Sequence, residues 1–82
     1  MKAVVHKVNF KRGFVAYDIE GYDYGWLEVL DSVDLENGDE IEGPFTDLGE
    51  ATIYKKSTGE SIDVFIEDYG MSMKKAFEMI LR

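Results

Sequence analysis

Four cations, Lys2, Lys7, Lys11 and Arg12, fall within the first twelve residues, and no acid accompanies them. The next forty-two residues, Gly13 to Tyr54, reverse the pattern, with twelve Asp or Glu and no Lys or Arg. The rings Phe14, Tyr17, Tyr22, Tyr24 and Trp26 open that acidic stretch. Aromatic faces stack on bases with little regard to sequence, and nearby cations hold phosphates. Phe14, Tyr24 and Trp26, with Lys7, Lys11 and Arg12, are therefore a candidate site for single-stranded nucleic acid, most plausibly RNA. The plainer expectation for the same rings is structural: they belong to the core or lie under the terminal helix.

The acids suggest a different chemistry. Asp34, Glu36, Asp39 and Glu40 lie close together in sequence and are the candidate face for a basic protein partner. The wider set of Asp31, Asp34, Glu36, Asp39, Glu40 and Glu42 has the residue type that calcium needs, but not the spacing. Counting from Asp31, the sixth position is Glu36, where an EF-hand loop requires Gly. No metal and no cofactor are expected.

Catalysis finds little support in the residue types. The chain has one histidine, His6, and no cysteine. His6 shares strand parity with Val4 and Val8, which suits a structural role. Ser32, Ser57, Ser61 and Ser72 lie in no nucleophile motif. The run Lys56, Ser57, Thr58, Gly59 lacks the phosphate-loop pattern and reads as a turn. The expectation is a noncatalytic binding module.

Size and charge set bounds. Eighty-two residues make one domain, and a chain this short buries only about 60–65% of its unfolded surface. Without cysteine, neither disulfides nor zinc thiolates can staple it. The net charge is −8 and the isoelectric point about 4.4, which favours solubility and opposes nonspecific attraction to phosphate. No apolar run approaches the roughly 20 residues of a membrane span, and no signal-peptide pattern opens the chain. A cytoplasmic protein with no membrane partner is the expectation.

The elements that must position these residues are short. Five or six strands are expected: Ala3 to Phe10, Gly13 to Ile19, Tyr24 to Leu30, Asp39 to Phe45, Ala51 to Lys55 and Ser61 to Glu67. Asp31 to Gly38 reads as a loop that could carry one helical turn. Pro44 suggests an edge or an end. Lys56 to Gly59 reads as a hairpin turn. Near the end, Met73, Ala76, Phe77, Ile80 and Leu81 recur at helical spacing, with Ser72 as N-cap and Gly70 as a break. Alternation puts Tyr24, Trp26 and Glu28 on one side of their strand and Leu27 and Val29 on the other. In the first strand Val4, Val8 and Phe10 share a parity opposite to that of Lys7. Pairing in order would bring Lys7, Phe14, Tyr24 and Trp26 onto one outer surface, provided no bulge swaps the faces.

The stretch from Val5 to Glu42 resembles the OB-fold nucleic-acid-binding domains, chiefly the S-one-type RNA-binding domain and less closely the cold-shock domain. Gly13-Phe14-Val15, then Tyr24-Gly25-Trp26-Leu27-Glu28-Val29-Leu30, then Gly38-Asp39-Glu40-Ile41 follow the S-one-type order. Lys11-Arg12-Gly13-Phe14 is similar to the first half of the cold-shock Lys-Gly-Phe-Gly-Phe motif. Val15 and Ala16 stand where that motif has its second Gly-Phe, and Glu28 stands near the position of the families' histidine. The resemblance implies an OB-like barrel that binds single-stranded nucleic acid. The fold expected is mainly β: a small five- or six-stranded OB-like barrel, alternatively SH3-like. Residues 1-70 would form the barrel, and residues 71-82 an amphipathic helix packed on it.

Overall fold

The computed structural model describes all residues 1–82. Six strands run in chain order: β1 (Lys2–Asn9), β2 (Phe14–Ile19), β3 (Asp23–Val29), β4 (Glu40–Glu42), β5 (Gly49–Lys55) and β6 (Ser61–Met71). One helix, α1 (Met73–Ile80), ends the chain. The strands close into an antiparallel barrel in the order β1-β2-β3-β6-β5-β4, with β4 pairing back to β1. The protein is thus a small, mainly β, OB-like barrel with a C-terminal helix.

Alternation explains the core. Val15, Tyr17 and Ile19 of β2 point inward, as do Leu27 of β3, Ile53 of β5, and Ile62, Val64 and Ile66 of β6. Their neighbours along each strand point to the outer side of the barrel, the period of a half-buried strand. Leu35 and Phe45 plug the interior from the loops on either side of β4. The Phe45 ring lies 4.9 Å from that of Tyr17. No charged or hydrogen-bonding residue except Tyr17 is fully buried.

Two strands depart from simple alternation. In β1 the register slips between Val5 and Lys7, leaving His6 as the extra residue of a bulge. Ala3 and Val5 face inward before it and Val8 packs inward after it. The expected Val4–Val8–Phe10 face is therefore broken: Val4 is exposed on the outside and Phe10 is 67% exposed beyond the strand. Lys7 nonetheless falls on the outer surface, opposite Ala16. In β6 the strand does not stop at Glu67. It runs four residues further, through a second irregularity, and Met71 pairs with Tyr24. Gly70, expected as a break, lies inside this extension at φ 75, a conformation that glycine adopts without steric cost. Close approach of the chains here also requires Gly25, where a Cβ would stand 2.7 Å from the Asp68 carbonyl oxygen.

The fourth strand is shorter than expected. It ends at Glu42, just before Gly43 and Pro44, because Pro cannot donate to the ladder. The segment between β3 and β4 carries no helix.

Candidate functional site

Ala16 is the floor on which the helix sits. It is fully buried on the outside of the barrel, together with Ala76 and Ile80 of α1. A small side chain on β2 lets the helix axis come close, and the larger rings stand around it. Phe14, Tyr24, Trp26, Met71 and Phe77 pack against this second, smaller cluster. The apolar spacing of α1 is thereby explained, although only part of the stripe is covered: Met73 and Leu81 remain exposed. Ser72 caps the first turn, accepting a hydrogen bond from the Lys75 amide at 3.1 Å. Asn9 closes the last turn by donating its side-chain amide to the Ile80 carbonyl at 2.7 Å.

The residues predicted to stack on bases do meet on one outer surface. Trp26 lies across from Ala16, and Phe14 pairs with Glu28. The Phe14 and Trp26 rings stand edge to face, 5.2 Å apart. Tyr24 meets the His6 ring, also edge on, at 5.2 Å. Burial, and then the charge of Asp18, raise the Tyr24 hydroxyl pKa. The helix α1 packs against this surface and covers it in part, leaving Phe14, Tyr24 and Trp26 half-buried. The Trp26 indole N–H is buried there and meets no acceptor. The candidate cations are spread along the edge of the cover. The Lys7 ammonium sits 5.3 Å from the centre of the Phe77 ring, and the Arg12 guanidinium 5.9 Å from that of Phe14. Lys11 is exposed in the β1–β2 turn.

The acids expected to meet a basic partner are differently placed. Asp39 accepts a bond from the Glu36 amide at 2.8 Å and pairs with Lys55 at 3.6 Å. Glu40 pairs with Lys56 at 3.7 Å. Two of the four thus already face cations of the β5–β6 hairpin, whereas Asp34 and Glu36 are exposed.

Sequence reasoning missed a second acidic surface, on the outside of β3, β6 and β5. Phe65 lies at its centre, 38% exposed, with Glu28 across from it on one side and Glu50 on the other. One step along, Asp63 accepts a hydrogen bond from Thr52 at 3.2 Å, and its amide donates to Asp31 at 3.3 Å. Glu67 adjoins Glu28. Burial, and then the Glu28 charge, push its carboxyl above the usual range. No Lys or Arg occurs in β3 or β6, and the one lysine of β5 is committed to Asp39. A groove of about 430 Å³ runs beside this row, lined by Leu30, Glu50, Ala51, Thr52, Asp63 and Val64. The cue in the sequence was the alternation of β6, which sets Asp63, Phe65 and Glu67 on its outer side. Its partner β5 is joined to it by a hairpin, but its other partner, β3, is far away in sequence.

Inside the barrel, the Tyr17 hydroxyl is buried without a hydrogen-bond partner, and burial raises its pKa. No group of three or more His, Asp or Glu converges closely enough to hold a metal ion. No helix is long and apolar enough to cross a membrane. The chain matches no protein-family model, and no curated protein or solved structure matches it.

Proposed function

We propose that this protein is a noncatalytic interaction module that takes a basic protein segment on the outer face of β3, β6 and β5. The observation that carries this reading is the row Glu28, Phe65 and Glu50, bordered by Asp63 and Glu67, on a surface free of available cations. Fourteen of the seventeen acids are in no ion pair. Such a field speeds the encounter with a basic partner and excludes acidic ones. An exposed ring among carboxylates suits Lys or Arg in two ways. The aliphatic stem packs on Phe65 while the charged head reaches an acid, and the cation can lie over the ring face.

The reading of the chain as a single-stranded RNA binder through Lys7, Lys11, Arg12, Phe14, Tyr24 and Trp26 is less well supported, because α1 occupies the face on which bases would stack. Fluorescence anisotropy with a labelled lysine-rich peptide and with labelled mixed-sequence RNA separates the two. The peptide should bind, weaken as salt rises, and lose at least fivefold in affinity in Glu50→Gln/Asp63→Asn and in Phe65→Ala. RNA binding with no peptide binding would overturn the proposal.

A further inference from the structure

The cations of this protein are as strongly sorted as its acids. Lys7, Lys11, Arg12, Lys74, Lys75 and Arg82, six of the nine Lys and Arg, lie on α1, at its end, or on the strand and turn beside it. None of the six is in an ion pair. Glu78 is the one acid in α1. In a chain with almost twice as many acids as bases, six unpaired cations on one side are a segregated face rather than a random surface. That face also has apolar content, since Met73 and Leu81 are exposed on or at the end of α1.

The two faces meet along β3, whose Trp26 packs against the helix while Glu28, further along the same outer side, belongs to the acidic row. In the ring β1-β2-β3-β6-β5-β4, the strand beneath the helix, β2, and the acidic-face strand β5 stand three places apart in either direction. We propose that the outward face of α1, with the β1–β2 turn, docks on the β3–β6–β5 face of a second copy, head to tail. This rests on the acidic face being a site for basic protein. Each face offers what the other lacks: cations with Met73 and Leu81 on one, carboxylates with Phe65 and Leu30 on the other. A standard interface takes roughly 800 Å² from each partner, about a sixth of the 4687 Å² surface, so one molecule has room for both contacts. Because each contact joins two different faces, it is heterologous. Every added copy leaves one face of each sign free, and the assembly grows past a dimer into a ring or a filament. The −8 charge of each copy opposes this over long range, but at physiological salt that repulsion is screened beyond about 8 Å, and the touching charges are not.

Sedimentation of the full chain at about 0.15 M salt tests the proposal, with Lys74→Glu/Lys75→Glu and Glu50→Lys/Asp63→Lys as single-face variants checked for folding by circular dichroism. Wild type should form species larger than a dimer that dissociate toward 1 M salt. Each variant alone should be monomeric. An equimolar mixture of the two should associate again, because the intact acidic face of one meets the intact basic face of the other and the two reversed faces are themselves of opposite sign. Wild type that stays monomeric at millimolar concentration, that forms only dimers, or that associates as strongly with either face reversed overturns self-docking. If wild type is monomeric but Glu50→Lys/Asp63→Lys still abolishes binding of the lysine-rich peptide, the acidic-face site stands and only the identity of its partner is wrong. If no form binds that peptide, both fail.

Discussion

Asn9 donates its side-chain amide to the Ile80 carbonyl at 2.7 Å, tying the last turn of the helix to the end of the first strand across 71 residues of chain. The helix has little else to finish it. Its C-cap is Leu81, not a left-handed glycine, and its last turn carries no cation. A helix of eight residues is marginal alone, so this bond and the packing of Ala76 and Ile80 hold it down. Asn9→Ala should cost about 1 kcal/mol. It should also speed hydrogen exchange of the α1 amides well before those of β2 or β6, as read by exchange NMR.

The cover over Trp26 makes a second prediction. Ile80→Ala removes the largest fully buried side chain of α1 and should destabilise by about 2–5 kcal/mol. Trp26 emission should shift to the red and iodide quenching should rise. Trp26→Phe removes an indole N–H that has no acceptor while keeping a ring over Ala16, so it should change stability by less than about 1 kcal/mol. A urea melt followed by circular dichroism checks both.

The barrel and its helix were largely legible in the sequence, because period-two alternation in β2, β3, β5 and β6 and the helical spacing of Ala76, Phe77 and Ile80 are local signals. The grouping of Lys7, Phe14, Tyr24 and Trp26 followed from the same alternation. Three things did not follow. The bulge at His6 and the irregularity near Glu67 are set by pairing partners, and they changed which residues of β1 face the core and how far β6 runs. The acidic face around Phe65 adds β3 to the β5–β6 hairpin, a pairing across more than thirty residues that no local signal marks. The resting place of α1 on Ala16 depends on one small residue on an outer face, which alternation alone does not distinguish from a solvent-exposed alanine.

Glu67 predicts a pH dependence. Its carboxyl pKa is raised by burial and then by Glu28, so the folded protein holds this proton more tightly than the unfolded chain. The stability linked to it is fully present below the usual glutamate value of about 4.3 and is lost as pH rises through the higher folded-state value. Glu67→Gln should therefore be slightly more stable than wild type at pH 7, by roughly 0.5 kcal/mol or less. The advantage should vanish toward pH 4. Urea midpoints measured at several pH values give the answer.

Gly25 carries a steric prediction. A Cβ there would meet the Asp68 carbonyl oxygen at 2.7 Å and the Ile19 and Tyr17 side chains at 3.2 Å. The backbone oxygen cannot swing away as a side chain can, so β3 and β6 must separate at their irregular pairing. Gly25→Ala should cost about 1–3 kcal/mol, and thermal denaturation measures it.

On the function proposed here, the open binding surface lies on β3, β6 and β5 while the aromatic face stays packed against α1. Amide shifts of the ¹⁵N-labelled full chain, kept dilute, on titration with a lysine-rich peptide and separately with single-stranded RNA test it most directly. The peptide should give salt-sensitive shifts at Glu28, Glu50, Asp63, Phe65 and Glu67, with Ala16, Trp26 and Ala76 unmoved. Shifts centred on Phe14, Trp26 and α1, or a response to RNA alone, would contradict it.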